Sequence, residues 1–353
     1  MTPALFAPLA LRDLTLRNRI GVSPMCMYAC HDETGTVTDW HVVHYGQFAL
    51  GGAGLVITEA TAVSPEGRVT PQDAGLWDDA HVDAWRRVTD AVHRAGGRIA
   101  VQLAHAGRKG GKYAGLPDEP AEHRGSVPLD RGGWATRGVT GEAFGHYAPP
   151  VPMGPEEVPG LVAAFAHAAR RAVAAGFDAV EIHAAHGYLL HELLSPVTNP
   201  EGSDREAPLR EVVRAVRAEA PAGFPVIVRL SVDDVAEGGL TAEDSAGLAR
   251  RLVSDGADLI DCSSGGLVWG AEYAPAPGYQ VPGAARVRRE GVPVAAVGLI
   301  ADPDHAEALV AGGEADLVLL GREMLRDPHW ARRAESALAG AATIEPRYHR
   351  AYL

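Results

Sequence analysis

Eight short apolar runs of strand length, set apart by longer stretches of helical spacing, constrain this chain more than any other feature. In order they are Ile20–Ser23, Leu55–Glu59, Arg98–Leu103, Ala179–His183, Pro225–Leu230, Asp258–Ser263, Pro293–Val297 and Asp316–Gly321. They are continuously apolar rather than alternating, the pattern of strands buried on both faces in a parallel sheet. Asp79–Ala95, Glu156–Ala175, Leu209–Ala220, Ala242–Asp255 and Asp302–Ala311 carry apolar residues three and four apart, the spacing of helices with one buried face. Glycine-bearing stops at 95–97, 175–177, 255–257 and 312–314 separate a helix from the strand after it. Repeated βα units over 353 residues predict an α/β fold, a TIM (β/α)8 barrel spanning 1–353 as one domain. Residues 106–153, rich in Gly, Pro and charge, break the rhythm after the third strand and are expected as a lid, a channel wall or a plain surface excursion. The polar tail 343–353 is expected to be disordered or docked on a neighbouring subunit.

Composition then narrows the function. The formal net charge of −13 argues against a nucleic acid or a polybasic membrane partner. There is no apolar run long enough to cross a bilayer and no basic, apolar leader, so a soluble cytoplasmic protein is expected. The three cysteines, Cys26, Cys30 and Cys262, have neither a disulfide framework nor a zinc or iron–sulfur spacing. Only Lys109 and Lys112 are lysines, and neither directly follows an apolar run, which weakens a Schiff-base aldolase reading.

Barrel enzymes carry their chemistry at the C-terminal ends of strands. The first run ends in Ser23-Pro24-Met25-Cys26-Met27-Tyr28, where Cys26 suits either the core or a site. The third contains Gln102, whose amide offers a donor and an acceptor to a heterocycle, or to a neighbouring loop. The fourth leads into Glu181-Ile182-His183-Ala184-Ala185-His186-Gly187-Tyr188. Paired imidazoles there can hold one oxygen while a phenol delivers a proton; zinc ligation and core packing are the competing readings. Arg229 in the fifth run is costly in an apolar strand unless it meets an anion or an electron-rich group. The last three runs end in Cys262-Ser263-Ser264-Gly265-Gly266, in Gly298 and in Gly321-Arg322, a pattern that suits a phosphate. No GxGxxG follows a strand, so a dinucleotide fingerprint is absent. Phosphate, planar ring and oxygen site together point to a phosphate-bearing flavin.

These motifs, with Gln102-Leu103-Ala104-His105-Ala106-Gly107-Arg108-Lys109, Asp261-Cys262-Ser263-Ser264-Gly265 and Gly321-Arg322-Glu323, resemble the Old Yellow Enzyme family of FMN-dependent ene-reductases in its thermophilic-like subclass. The resemblance covers nearly the whole chain. It implies FMN as cofactor, NADPH or NADH as reductant, and reduction of the C=C bond of α,β-unsaturated carbonyls and nitroalkenes. It implies that Ser23, Pro24 and Met25 run past the flavin and that Cys26 tunes it. Ala60 and Gln102 would meet the pyrimidine edge, and Arg229 would lie near N1 and O2. Ser263 and Gly265 would join the cofactor site, while Gly298, Gly321 and Arg322 would cradle the phosphate. His183 and His186 would hold the substrate oxygen, Tyr188 would protonate the α-carbon, and Tyr28 would touch the substrate. Arg350 would reach a neighbouring subunit's site, which implies a homodimer or homotetramer. The chain departs from the family pattern at the shortened 199–208 loop and within 106–153. The rival expectations are a metal-dependent barrel hydrolase, a dienoyl-CoA reductase and a non-catalytic flavin-binding protein.

Overall fold

The computed structural model describes residues 2–120 and 122–352. All eight apolar runs are strands: β1 Ile20–Val22, β2 Leu55–Ala62, β3 Ile99–Ala104, β4 Ala179–Ala184, β5 Val226–Ser231, β6 Leu259–Ser263, β7 Val294–Ala296 and β8 Leu317–Leu320. Each pairs in parallel with the next and β8 pairs with β1, closing a barrel. Among the described residues ten α-helices accompany them: α1 Asp39–Leu50, α2 Ala80–Arg94, α3 Val158–Ala174, α4 Leu189–Leu194, α5 Ala207–Glu219, α6 Ala242–Asp255, α7 Val281–Arg288, α8 Pro303–Ala311, α9 Arg322–Arg326 and α10 Trp330–Ala339.

Five of these helices match the sequence spacing; α1, α4, α7, α9 and α10 were not foreseen. α1 mixes buried His41, His44, Tyr45 and Phe48 with exposed Trp40 and Val43, so no clean apolar stripe marks it. α7 opens with Pro282-Gly283, which reads as a break. Proline is tolerated in a first turn, and a Cβ on Gly283 would come 2.6 Å from Val232, so the glycine permits close packing on the sheet.

The two faces of each strand divide the core. Val101, Val180, Ile182, Val228, Ile260 and Cys262 face the helices. Alternate residues point inward, as strand period 2 requires. The lowest inward layer holds Ala100, Ala179, Ile227, Leu259, Ala295 and Leu317. It is plugged from below by an antiparallel hairpin, Leu9–Leu11 against Leu14–Leu16, whose leucines join the same cluster. Two residues further along each strand come Gln102, Glu181, Arg229 and Asp261; two more bring His183, Ser231 and Ser263. The barrel interior is therefore apolar below and polar above.

Residues 106–153 contain 3-10 turns at Gly107–Lys109 and Leu129–Arg131 and a two-residue ladder, Arg137–Gly138 with Val151–Pro152. Arg68 pins this segment: its guanidinium lies 5.4 Å from the Trp77 ring and 4.8 Å from that of Trp134. The tail is not shapeless, for Pro346–Tyr352 forms a 3-10 helix that carries Arg350 exposed. No helix among the described residues is long and apolar enough to cross a membrane.

Candidate active site

The β4 exit is a tightly held turn at the barrel mouth. His186 and Gly187 both take left-handed backbone, φ 59° and 70°. A Cβ on Gly187 would lie 2.5 Å from the Gly266 carbonyl oxygen, so only glycine fits. The His186 amide donates to Ser231 Oγ (2.9 Å) and the Gly187 amide donates to His191 Nδ1 (2.9 Å). The proton of that ring is thereby placed on Nε2, which lies 2.7 Å from Asp234 Oδ1; Ser195 Oγ donates to Asp234 Oδ2 (2.6 Å). His191, Ser195 and Asp234 are fully buried and act as a strut beneath the turn.

The strut sets three rings together. The His183 and His186 centroids lie 5.2 Å apart, and His183 and Tyr188 lie 5.0 Å apart. His186 Nε2 is 2.7 Å from Ser263 Oγ. Burial, and then Arg229, hold both imidazoles well below their ordinary pKa, so both are neutral at pH 7. Burial pushes the Tyr188 phenol well above its ordinary value, so it keeps its proton. Lys109 donates from Nζ to the carbonyls of His186 (2.8 Å) and Gly266 (2.9 Å). Its ammonium sits 5.1 Å from the Tyr188 ring and 4.2 Å from that of Phe144, and burial lowers its pKa to about 8. Phe144 in turn packs edge-on to Trp269 at 5.4 Å, so the 106–153 segment reaches the mouth.

Across the mouth, Arg229 Nη1 donates to Ser23 Oγ (3.2 Å) and Gln102 Nε2 donates to Glu181 Oε1 (2.8 Å). Ala60 is the register partner of Gln102, beside an irregularity in β2 that starts after Ile57. The β1 exit is fixed by Glu59, which accepts from the Met27 amide (3.1 Å) and the Tyr45 hydroxyl (2.9 Å). Cys26 is half-buried; burial, then the Asp73 and Glu59 carboxylates, push its thiol well up, so it is protonated. Tyr28 carries φ 57°, and its phenol is likewise pushed up by burial. Pro24 follows in the same exit, and Met25 Sδ lies 3.6 Å from where a Cβ on Gly321 would stand.

A cavity of about 420 Å³ opens at the ends of β5 to β8, lined by His186, Arg229, Ser263, Gly298, Gly321 and Arg322 among others. Gly298 has φ 122°, and a Cβ there would press on Gln280 at 3.2 Å. Gly265 is a backbone acceptor, taking the Ser231 hydroxyl at 2.8 Å. Arg350 lies apart from this cavity on the terminal turn. Three contributors were missed in the sequence. Lys109 sits six residues past Leu103, so strand adjacency passed it over; its rarity as one of two lysines was the available signal. The Gln280 amide, 3.1 Å from the Ser263 and Ser264 hydroxyls, and Tyr273 come from the stretch after β6 that had no strand-end motif. Among the described residues, no three His, Cys, Asp or Glu side chains come together as a metal-ligand group.

Comparison with known proteins agrees with this geometry. Residues 4–340 match the model of the NADH:flavin oxidoreductase / NADH oxidase family. The chain belongs to this family. It is 41% identical to the NADPH dehydrogenase of Bacillus subtilis (strain 168) over 363 residues, covering 100% of both chains. The Old Yellow Enzyme homologue from Zymomonas mobilis superposes with TM-score 0.76 at 26% identity, over 99% of both chains. A 2-naphthoyl-CoA reductase in complex with 2-naphthoyl-CoA gives TM-score 0.84 at 25% identity, over 97% of this chain and 53% of that one. This chain spans about half the length of that reductase. As an Old Yellow Enzyme family member it is an oxidoreductase, with FMN and NAD(P)H as its cofactors.

The mouth fits FMN. His183 Nδ1 and Arg229 Nε are buried donors or acceptors without a hydrogen-bond partner among the described residues. Arg229 Nε lies 3.1 Å from Asp261 Oδ2, but off the bonding direction. The cavity beside Arg229 is also lined by Arg322, a fixed cation suited to a phosphate monoester.

The same buried groups give this family member a pH signature. Burial pushes Asp73 and Glu192 up to about 7 and Glu181 up to about 8. Burial pushes His44 and His105 down to about 4, and His81, His183 and His186 downward as well. Below the ordinary histidine value of 6.5 the unfolded chain binds histidine protons that the folded one refuses, while the folded carboxyls keep protons that the unfolded chain has lost. The two effects offset. Above 6.5 the carboxyls dominate, with Lys109, lowered to about 8, opposing them only from there upward, so stability falls as pH rises from 6.5 towards 8. Thermal unfolding of the FMN-saturated protein should show Tm dropping over that window. A Tm that climbs there would mean the three carboxyls are ionised in the fold.

Proposed function

We propose that this enzyme reduces the C=C bond of α,β-unsaturated carbonyls and nitroalkenes with NADPH or NADH as reductant. The observation that carries the reading is the cluster of two neutral imidazoles and one protonated phenol at the β4 exit, where His186 lines the cavity. Bound FMN supplies the hydride. His183 and His186 donate N–H groups to the carbonyl or nitro oxygen, which withdraws electrons from the β-carbon. Because both rings are neutral, this holding needs no titration near pH 7. Tyr188 gives its proton to the α-carbon, and the Lys109 ammonium near its ring stabilises the phenolate left behind.

The remaining residues position the cofactor and substrate. Gln102 and Ala60 meet the pyrimidine edge, and Arg229 offsets negative charge at its N1 and O2 side. Ser23, Pro24, Met25 and Cys26 line the segment past the reactive edge, with Cys26 as a thiol. Ser263 and Gly265 shape the floor, and Gly298, Gly321 and Arg322 hold the phosphate. Tyr28 contacts the substrate, and Arg350 acts in a neighbouring subunit's site within a homodimer or homotetramer. The whole of 1–353 works as one barrel domain, with 106–153 as a wall of the substrate channel and 343–353 as an intersubunit element. The formal net charge of −13 and the small-molecule site suit a cytoplasmic enzyme without nucleic-acid or membrane partners.

Isotopic labelling tests the reading. With cyclohexenone as substrate, deuterated NADPH should place its label on the β-carbon of the saturated ketone. Reaction in deuterium oxide should place solvent label on the α-carbon. Consumption of NADPH without any labelled ketone would leave only an oxidase activity and defeat the proposal.

A further inference from the structure

The polar layer inside the barrel holds one carboxyl more than it has cations to match. Glu181 on β4 and Asp261 on β6 are both at 0% exposure, on either side of Arg229 on β5. Register sets Gln102 beside Glu181 and Asp261 beside Arg229; Arg229 is level with His183, one step above Glu181, and all four side chains face the barrel interior. The inward residues two before each of them, Ala100, Ala179, Ile227 and Leu259, are apolar and offer no polar side chain. The charged groups acting on Glu181 are Asp261 and Arg229, and those acting on Asp261 are Arg229 and Glu181.

Accounting for the polar atoms sharpens the problem. Glu181 Oε1 accepts from Gln102 Nε2 at 2.8 Å, but Oε2 has no donor among the described residues. Neither Asp261 oxygen has a well-directed donor, although Arg229 Nε lies 3.1 Å from Oδ2. The two carboxyl groups are within hydrogen-bonding reach of one another. Two carboxylates and one guanidinium would leave a net negative charge in a dry interior, a costly arrangement. One proton removes the difficulty. Placed on Glu181 Oε2 it donates to Asp261, which stays ionised against Arg229, and the layer becomes neutral. It belongs on Glu181 because the other neighbour of that carboxyl is an uncharged amide, whereas Asp261 faces a guanidinium.

We propose that Glu181 and Asp261 share one proton, and that Glu181, as the acid, is a positioning residue that fixes Gln102 and Arg229 towards the pyrimidine edge of the cofactor. With Oε2 donating, Oε1 is left as an acceptor, so Gln102 must present its amide nitrogen to it. A flipped amide would set two acceptors face to face. The Gln102 oxygen and its second N–H are then free for a ring that carries adjacent N–H and C=O groups. Asp261, held ionised, keeps Arg229 in place from the other side. Burial and the Asp261 charge push Glu181 up to about 8, in keeping with an acid at neutral pH.

The inference rests on the reading that Gln102 and Arg229 face FMN, and the test separates the two. Infrared difference spectra of the FMN-loaded enzyme, in water against deuterium oxide, should contain the C=O stretch of a buried carboxylic acid that Glu181→Gln removes. Gln at this position keeps an acceptor for Gln102 and an N–H donor for Asp261. E181Q should therefore bind FMN within about threefold of the parent, with little change in the flavin midpoint potential, while E181L weakens FMN by about tenfold or more. The proposal is overturned if no acid band disappears in E181Q, if E181Q harms FMN binding as much as E181L, or if E181L binds FMN as the parent does. Gln102→Ala reports on the underlying reading: unchanged FMN affinity there would remove Gln102 from the site, whatever the infrared spectra show.

Discussion

Tyr188→Phe should slow reoxidation of the reduced enzyme by an enone by about 10²–10⁴-fold, the range for loss of a positioned general acid. Reduction of the bound flavin by NADPH should change by less than about threefold, since no proton from the phenol enters that step. The phenylalanine ring preserves the packing against His183, 5.0 Å away in the parent. What disappears is one O–H whose pKa burial has raised well above 10, so that it is fully protonated across the working pH range. Stopped-flow measurement of the two half-reactions separates them. Equal slowing of both would assign Tyr188 to general site shape rather than to proton delivery.

His183→Ala and His186→Ala should each cost the enone half-reaction about 10²–10³-fold, the range for removing one preorganised donor from a developing oxyanion. They should also weaken a phenolic ligand, whose oxygen takes the place of the substrate oxygen. The two losses should not multiply in the double variant, because both donors serve one oxygen and the first removal already lets it shift. His186→Ala carries a second signature: it frees Ser263 Oγ, which lies 2.7 Å from Nε2 in the parent. Unchanged phenol affinity in both variants would contradict the oxygen-holding role. Neutral imidazoles make a further statement testable in the same series: substrate affinity should stay flat from pH 6.5 upward, because both rings titrate below that value.

The barrel was legible because its strands are buried on both faces. Val294–Ala296 and Leu317–Leu320 read as unbroken apolar segments whichever side faces the helices. The hairpin that closes the bottom was not, since Leu9–Leu11 and Leu14–Leu16 are too short to carry a period. At the site, residues at strand ends were readable and residues brought in by long loops were not. Arg229 stood out because a guanidinium in an apolar strand demands a partner, whereas Glu181 and Asp261 were read only as parts of motifs. Their meaning depends on which strand lies beside which, and on the inward face they share with Arg229. Glu59 shows the same limit from another side. The irregularity in β2 separates it from the register that aligns Ala60 with Gln102, and it supports the Cys26-Met27 backbone. Arg350 was singled out by resemblance alone, and it lies exposed on the terminal turn.

The most direct test of the account is the absorbance spectrum of the purified enzyme, followed without oxygen through addition of NADPH and then of cyclohexenone. A yellow protein should bleach with NADPH and regain its colour as the enone is converted to the saturated ketone. A flavin that bleaches but stays reduced in the presence of enone would contradict the assignment of His183, His186 and Tyr188 to alkene reduction.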